Sequence, residues 1–215
     1  MEKHKFYAKS GQALNYLLYR APGDNGDAHP LIVYLHGMDG CGDDLDIVLN
    51  IESLPSYIQN GKITLGDGAL VLAPQCPEGK SWAMLADEVN ELIEKLIRNE
   101  NVDANCISLT GASLGGMGTF DVAIAYPERF SCLVPVCAKV KAEKCDVLTH
   151  MPVWMFHGEL DTGMGFSIVD ANAVINKAGG QSRLTLLHGE GHEIRWIYYS
   201  EKFNVIEWML SNKRT

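Results

Sequence analysis

Hydrophobic and polar positions follow two different patterns along this chain. Residues 6–20 alternate apolar and polar positions around a break at Ser10 and Gly11, which predicts an antiparallel hairpin. From residue 31 onward the apolar positions instead form short continuous runs, as expected for strands buried on both faces of a sheet. Strands are predicted at residues 31–35, 69–73, 106–110, 133–136 and 153–157, and the last strand at residues 183–187.

Segments with helical periodicity lie between the apolar runs. Residues 86–98 are the clearest case, because their apolar side chains recur every three or four positions and acidic residues occupy the other face. A polar turn rich in Gly, Pro and Asp is predicted at 21–30. Further helices are predicted within residues 44–58 and over 114–125, 166–178 and 198–211, the last of them burying Tyr199, Phe203, Ile206 and Leu210.

The alternation of predicted strands and helices indicates the α/β class. We expect a mostly parallel sheet with helices on both faces, preceded by the antiparallel N-terminal hairpin. The 215 residues contain no internal repeat and no segment typical of a linker, so a single domain over residues 1–215 is predicted.

Composition and charge narrow the possible partners. A formal net charge of −9 argues against a nucleic-acid backbone or an anionic membrane surface as a partner. No apolar run approaches the roughly 18 residues of a membrane span, and the N-terminus lacks the apolar core of a signal peptide. A cytoplasmic protein is therefore expected, with its oligomeric state left open.

Metal binding is not predicted from the residue pattern. The six cysteines show no C-x-x-C pair and no regular spacing, which favours reduced thiols over disulfides or a zinc site. Four aspartates cluster before the predicted helix at 44–58, where helix capping and pairing with the helix dipole explain them better than a cation does. They are Asp39, Asp43, Asp44 and Asp46.

A serine at a strand-to-helix turn is the strongest chemical signal in the chain. Ser113 lies between glycines two positions to either side, in a G-x-S-x-G pattern that joins the strand at 106–110 to the helix at 114–125. Such a turn holds its apex residue in strained backbone geometry and needs small neighbours. It also sets the hydroxyl above a helix N-terminus, which favours negative charge. We predict a nucleophile at Ser113, with close helix–sheet packing as the alternative explanation of the glycines.

Two further loops carry groups that can activate this serine. Active sites of parallel α/β sheets form where the carboxyl ends of the strands meet. His192 follows the last predicted strand and is the predicted base, against the alternative of a surface histidine. Asp161 follows the strand at 153–157 and is the predicted acid, with Glu159 on the same loop as its competitor.

These motifs resemble the α/β-hydrolase superfamily. More narrowly, the chain is similar to small single-domain carboxylesterases and predicted peptidases related to polyhydroxybutyrate-depolymerase-like esterases and dienelactone hydrolases. The matching segments lie within residues 31–192 and are Leu35-His36-Gly37, Ala73-Pro74-Gln75-Cys76-Pro77, Gly111-Ala112-Ser113-Leu114-Gly115-Gly116, Tyr126-Pro127-Glu128-Arg129-Phe130, Phe156-His157-Gly158-Glu159-Leu160-Asp161 and Gly191-His192.

The resemblance implies a serine hydrolase with no cofactor and no metal. Its oxyanion hole would use the backbone N–H of Leu114, at the helix start, and that of Met38, which the resemblance alone supplies. His36, Gly37 and Trp82 are further candidates for contact with substrate. The alternatives are that His36 and His157 support loops by hydrogen bonds and that Trp82 serves in packing.

The segment between the fourth and fifth apolar runs bears on the substrate. Residues 137–151 are too few and too polar for a large apolar lid, which favours an open site for esters of short acyl or aryl groups. Peptidase and thioesterase activity remain alternatives within the same fold. A non-catalytic binding protein is the remaining hypothesis. It is disfavoured because the predicted nucleophile Ser113, base His192 and acid Asp161 are all present.

Overall fold

One eight-stranded sheet organises the part of the chain that this computed structural model describes, residues 1–23 and 28–214. Residues 24–27, inside the predicted turn at 21–30, and residue 215 lie outside the described residues. The strands are β1 (Glu2–Tyr7), β2 (Ala13–Arg20), β3 (His29–Leu35), β4 (Leu70–Pro74), β5 (Val102–Ala112), β6 (Cys132–Val136), β7 (Val153–Gly158) and β8 (Ser182–Leu187).

The topology confirms the predicted α/β class. The strands lie in the order β1-β2-β4-β3-β5-β6-β7-β8. The pairs β1–β2 and β2–β4 are antiparallel, whereas every pairing from β4 to β8 is parallel. The carboxyl ends of β3, β5, β7 and β8 therefore lie along one edge of the sheet, where the loops carrying the predicted site residues begin.

Helices cover both faces of the sheet. Alternate residues of β3 explain why its sequence is continuously apolar, because Leu31, Val33 and Leu35 enter the core on one face while Ile32 and Tyr34 enter the core on the other. The first core also contains side chains of α3, α4 and α5, and the second those of α1, α2 and α6. The helices are α1 (Leu45–Asn50), α2 (Leu54–Gln59), α3 (Ala86–Asn99), α4 (Leu114–Ala125), α5 (Ser167–Lys177) and α6 (Val205–Ser211).

Short 3₁₀ helices connect several of these elements. They occupy Met38–Gly40, Trp82–Leu85, Pro127–Arg129, Ala142–Val147 and Arg195–Tyr199. Within residues 1–23 and 28–214, no helix combines the length and apolar character needed to cross a bilayer.

Two helix predictions need correction. The segment at 44–58 contains two short helices, because Ser53 accepts a hydrogen bond from the Ser56 N–H and starts a new helix there. The single helix predicted at 198–211 is wrong. Asn204 takes a left-handed conformation with φ of 51°, so α6 begins only at Val205 and a separate 3₁₀ helix precedes it.

The burial predicted for that last helix is also corrected. Val205 and Met209 are the buried side chains of α6, whereas Tyr199 lies in the preceding 3₁₀ helix and is 40% exposed. The other predicted core residues there, Phe203, Ile206 and Leu210, are only partly buried. The shorter helix presents a different face to the sheet than a continuous helix would.

Close contact between α4 and the sheet explains the glycines around Ser113. A Cβ atom at Gly115 would collide with the backbone carbonyl oxygen of Leu35 in β3, and one at Gly111 would lie 2.5 Å from the carbonyl oxygens of both Leu35 and Gly115. Close packing is therefore a real function of these glycines. This packing function is compatible with a nucleophilic turn at Ser113, because the contact lies at the start of α4, directly after the serine.

We expect Gly115→Ala to destabilise the protein by about 3 kcal/mol, the upper end of the usual cost of overpacking a core. The colliding atom is backbone, so no side chain can rotate away to relieve the contact. Urea unfolding measures the change. Gly66→Ala is the matched control, because Gly66 has open space around its Cα and no positive φ, and it should stay within about 0.5 kcal/mol of wild type.

Candidate active site

Ser113 occupies the turn between β5 and α4 in a strained conformation. Its φ of 58° and ψ of −119° lie in a region that residues other than glycine rarely adopt. Backbone strain of this kind costs about 1–3 kcal/mol and persists only where the surroundings enforce it. Here the Ser113 N–H donates to the Val136 carbonyl at 3.0 Å, and the Ser113 carbonyl accepts from the Met117 N–H at 3.0 Å.

A chain of hydrogen bonds joins Ser113 to the two predicted partners. His192 Nε2 lies 2.9 Å from Ser113 Oγ, and His192 Nδ1 lies 2.6 Å from Asp161 Oδ2. An ionised carboxylate only accepts, so Nδ1 carries the proton and Nε2 is free to accept the one from the serine hydroxyl. The structure thus brings together three residues that lie 31 and 79 positions apart in the sequence.

The surroundings of Asp161 keep it ionised. Burial alone would raise its pKa, but hydrogen bonds from His192, the Met164 N–H and the Cys137 thiol outweigh that effect and lower the pKa below its usual value. The Met164 N–H donates to Oδ1 at 3.2 Å, opposite the oxygen that faces His192. A nearly buried carboxylate with donors to both oxygens is held in one orientation.

The competing acid on the same loop has a different partner. Glu159 Oε2 lies 2.6 Å from Nδ1 of the exposed His188 and accepts the Gly189 N–H at 3.1 Å. It therefore caps the turn after β8 and takes no part in the contact with His192. Of the two predicted candidates, Asp161 is the one in contact with the histidine.

Cys137 and His157 form a buried cluster with Asp161. Their ligand-type atoms lie within 4.8 Å of one another, a set that suits a soft divalent metal. Burial raises the pKa of the Cys137 thiol to about 12 and lowers the pKa of His157, so both are neutral. A metal ion here would have to take Asp161 from His192 and from the Met164 N–H. Within the cluster, the Cys137 thiol supports the acid. The ring nitrogens of His157 are buried without a hydrogen-bond partner among the described residues, so the loop-supporting hydrogen bonds predicted for His157 are not observed.

Three of the four aspartates around the start of α1 are also held by protein groups. Asp44 caps α1 by accepting the Asp46 N–H at 3.0 Å, as the sequence predicted. Asp46 pairs with Lys3 at 2.6 Å, and Asp39 pairs with Arg195 at 2.7 Å.

The two candidate oxyanion donors stand at the starts of two helices. Leu114 is the first residue of α4, and Met38 is the first residue of the 3₁₀ helix after β3. Among the residues described, neither backbone N–H donates to a protein acceptor. The Met38 side chain is 74% exposed, so the loop presents backbone and an apolar side chain together.

His36 and Trp82 support this loop and do not line an open site. His36 Nε2 accepts the Cys76 N–H at 2.9 Å, and its Nδ1–H donates to the Gly37 carbonyl at 2.6 Å. Trp82 donates its indole N–H to the His36 carbonyl at 3.0 Å. Both side chains are fully buried, and Gly37 is buried as well. These contacts agree with the alternatives of loop support for His36 and packing for Trp82, and contact of Gly37 with substrate stays a prediction.

Arg195 is a residue near the site that the sequence analysis missed. It lies three positions after His192 and is almost fully buried, with Nη1 bonded to Asp39 at 2.7 Å and to the Glu52 carbonyl at 2.9 Å. An arginine inside the otherwise apolar stretch at 194–198 was the available signal, because a buried charge requires a partner.

Comparison with known proteins identifies the architecture. No protein-family profile matches the chain. Its sequence is 24% identical over 159 residues to a bifunctional acetylxylan esterase/xylanase of Neocallimastix patriciarum. The aligned region covers 70% of this chain and 22% of that protein. The solved structure of a thermostable esterase superimposes with a TM-score of 0.86 at 25% identity, covering 99% of this chain and 63% of that one. The chain has the α/β-hydrolase fold.

A third α/β-hydrolase agrees with the narrower resemblance. A Klebsiella pneumoniae structure assigned as a dienelactone hydrolase superimposes with a TM-score of 0.73 at 14% identity over 98% of each chain. The predicted similarity to esterases and dienelactone hydrolases is thereby confirmed. The chain spans less than two thirds of the thermostable esterase and about a fifth of the acetylxylan esterase/xylanase. These relatives support the prediction of a hydrolase that acts on esters.

The buried His36 makes the stability of this protein depend on pH. Burial lowers the pKa of His36 to about 4, whereas an unfolded histidine titrates near ~6.5. Between these values the unfolded chain binds more protons, so stability falls as the pH drops from about 6.5 to about 4, by about 3 kcal/mol in total. Urea unfolding over this range should show a shallower fall for His36→Gln.

The exposed His188 provides the control for that measurement. His188→Gln removes a histidine whose side chain is 93% exposed and should keep the wild-type slope. Equal slopes for wild type and His36→Gln would show that His36 is not buried in its neutral form.

Proposed function

We propose that this chain is a serine esterase that hydrolyses small carboxylic esters of short acyl or aryl groups through an acyl-enzyme. The observation that carries the proposal is the continuous hydrogen-bonded chain from Asp161 through His192 to Ser113, with the serine at a strained strand-to-helix turn. In the proposed roles Ser113 is the nucleophile, His192 the general base and Asp161 the acid that orients it.

Acylation begins with attack of Ser113 Oγ on the ester carbonyl carbon. Its proton passes to His192 Nε2, and the carbonyl π electrons move onto the oxygen, which the N–H groups of Met38 and Leu114 stabilise. When the carbonyl re-forms, the bond to the alcohol oxygen breaks and His192 delivers its proton to that oxygen. The alcohol leaves, and the acyl group remains on Ser113.

Deacylation repeats these steps with water as the nucleophile. His192 takes a proton from the water as its oxygen bonds to the acyl carbon, and the oxyanion forms again at the same two N–H groups. Collapse of this second intermediate breaks the bond to Ser113 Oγ, which recovers the proton from His192. The carboxylic acid is released, and the starting state is restored.

The surface near the site supports a small, partly apolar substrate. Residues 137–151, which precede β7, contain only the short 3₁₀ helix Ala142–Val147, so this segment forms no large lid. Two apolar residues at the site are exposed. Met38, whose own N–H is a proposed oxyanion donor, is 74% exposed, and Leu160, which precedes the proposed acid Asp161, is 61% exposed. Such apolar side chains suit short acyl or aryl groups. The similarity to an acetylxylan esterase/xylanase agrees with a small acyl group.

We expect p-nitrophenyl acetate to be hydrolysed and a fluorophosphonate probe to label Ser113, because both reactions need the activated hydroxyl. Mass spectrometry of the labelled peptide locates the adduct, and Ser113→Ala should abolish both labelling and turnover. Turnover should fall as the acyl chain lengthens from acetyl to palmitoyl. A folded wild-type protein that neither hydrolyses the ester nor reacts with the probe would overturn the proposal.

Asp161→Asn should lower kcat by roughly 10³- to 10⁴-fold. An asparagine amide can donate to His192 Nδ1, which favours the tautomer whose Nε2 already carries a proton and cannot accept one from Ser113. Steady-state kinetics on the same ester measures the loss. Glu159→Gln is the matched control from the same loop and should stay within about twofold, because Glu159 contacts His188 and the Gly189 N–H. A larger loss in Glu159→Gln would reverse the assignment of the acid.

A further inference from the structure

Arg195 places a buried positive charge between two loops of the site. Its side chain is only 8% exposed, and it extends from the loop that carries His192 to the loop that follows β3. Nη1 donates to Asp39 Oδ2 at 2.7 Å and to the Glu52 carbonyl at 2.9 Å. A buried guanidinium is strongly unfavourable without such acceptors, so these contacts fix where the two loops lie relative to each other.

The loop on the other side of this ion pair carries a proposed oxyanion donor. Asp39 immediately follows Met38 within the 3₁₀ helix Met38–Gly40. Gly37 packs so closely that a Cβ there would lie 2.7 Å from Asp39 Oδ1 and 3.1 Å from Arg195 Nη2. The ion pair therefore packs directly against Gly37, the residue that precedes the Met38 N–H.

A second contact fixes the other side of the same turn. A Cβ at Gly40 would lie 2.5 Å from the His36 ring, and the Gly40 carbonyl accepts from Gln75 Nε2 at 3.1 Å. His36 and Gln75 thus hold the end of the turn, and only Arg195 holds the Asp39 side chain among the contacts described. Without Arg195, the Asp39 side of the turn would keep only its backbone hydrogen bonds, from the Gly40 N–H to the Gly37 carbonyl at 3.1 Å and from the Cys41 N–H to the Met38 carbonyl at 3.2 Å.

We propose that the Arg195–Asp39 ion pair positions the Met38 N–H for the oxyanion. The inference rests on the proposed esterase function and assigns both residues a positioning role, with no contact to substrate. An oxyanion donor must lie about 2.7–3.1 Å from the charged oxygen. A misplacement of about 1 Å can cost up to 10²-fold in rate. Because this donor acts on the charged oxygen, the ion pair contributes mainly to kcat and little to substrate binding.

Asp39→Asn is the variant that tests this role. It keeps the size of the side chain and leaves Arg195 bonded to the Glu52 carbonyl, so the histidine loop stays supported. We expect kcat for p-nitrophenyl acetate to fall about tenfold or more with KM nearly unchanged. The affinity for phenylboronic acid, which forms a tetrahedral adduct with an active serine, should fall by a similar factor. A variant that is only less stable, but still folded under the assay conditions, would keep the wild-type kcat and the wild-type affinity for phenylboronic acid.

The Arg129–Glu94 pair offers a matched control. Glu94 is 39% exposed like Asp39 and lies 2.9 Å from its arginine, but the pair sits by the C-terminal end of α4, about 18 Å from Ser113 along the helix. Glu94→Gln should change the melting temperature to a similar extent and leave kcat and boronate affinity at wild-type values. Arg195→Met combined with Asp39→Asn should lose no more activity than Arg195→Met alone, because the ion pair is already absent once Arg195 is replaced.

The outcomes separate this inference from the function on which it rests. A wild-type enzyme that is active and labelled at Ser113, together with an Asp39→Asn variant within twofold of it in kcat and boronate affinity, overturns the positioning role only. A fall in kcat with unchanged boronate affinity overturns it as well, since the oxyanion site would then be intact. A folded wild-type protein without turnover or labelling overturns both proposals.

Discussion

The contact between the start of α4 and the end of β3 is the constraint on which the site depends. Gly115 lies directly against the Leu35 carbonyl, and this approach leaves no room for a gradual transition from strand to helix. The chain reverses within one residue, and Ser113 takes the strained φ of 58°. The strain is maintained because the sheet and the helix are each fixed by large buried cores. The orientation of the Ser113 side chain thus depends on the packing of α4 against β3 as much as on the turn itself.

Three buried polar side chains near the site are each held by several hydrogen bonds. His36, Asp161 and Arg195 are each almost inaccessible, and each is held by at least two hydrogen bonds. A buried polar group with a missing partner costs more than the bond itself contributes, so such groups allow few alternative arrangements. The hydrogen bonds of His36, Asp161 and Arg195 therefore hold the loops of the site at fixed distances from one another. Gly158 extends the same logic, because it packs against the Gly191 carbonyl and brings the loops of Asp161 and His192 together.

Much of the fold could be predicted from local pattern. Continuous apolar runs identified most of the parallel strands, since a strand covered on both faces carries no polar alternation. The edge strand β8 is partly exposed and mixes polar with apolar residues. The predicted helix at 114–125 agrees with α4 in both bounds. The errors arose where a single residue overrides periodicity. Ser53 starts a second helix within a segment that looks like one, and the left-handed Asn204 separates α6 from the 3₁₀ helix before it.

The sequence by itself determined the α/β class, the turn at Ser113 and the histidine that meets it, because each follows from the local pattern in or directly after a predicted strand. Only the tertiary structure decided between Asp161 and Glu159, which differ by two positions on one loop and by which partner lies opposite. It also moved His36 and Trp82 from the expected substrate surface into the support of a loop, and it revealed Arg195 beside Asp39 across 156 residues. Such contacts form between segments that are distant in the sequence, so they cannot be predicted from the residue pattern within one segment.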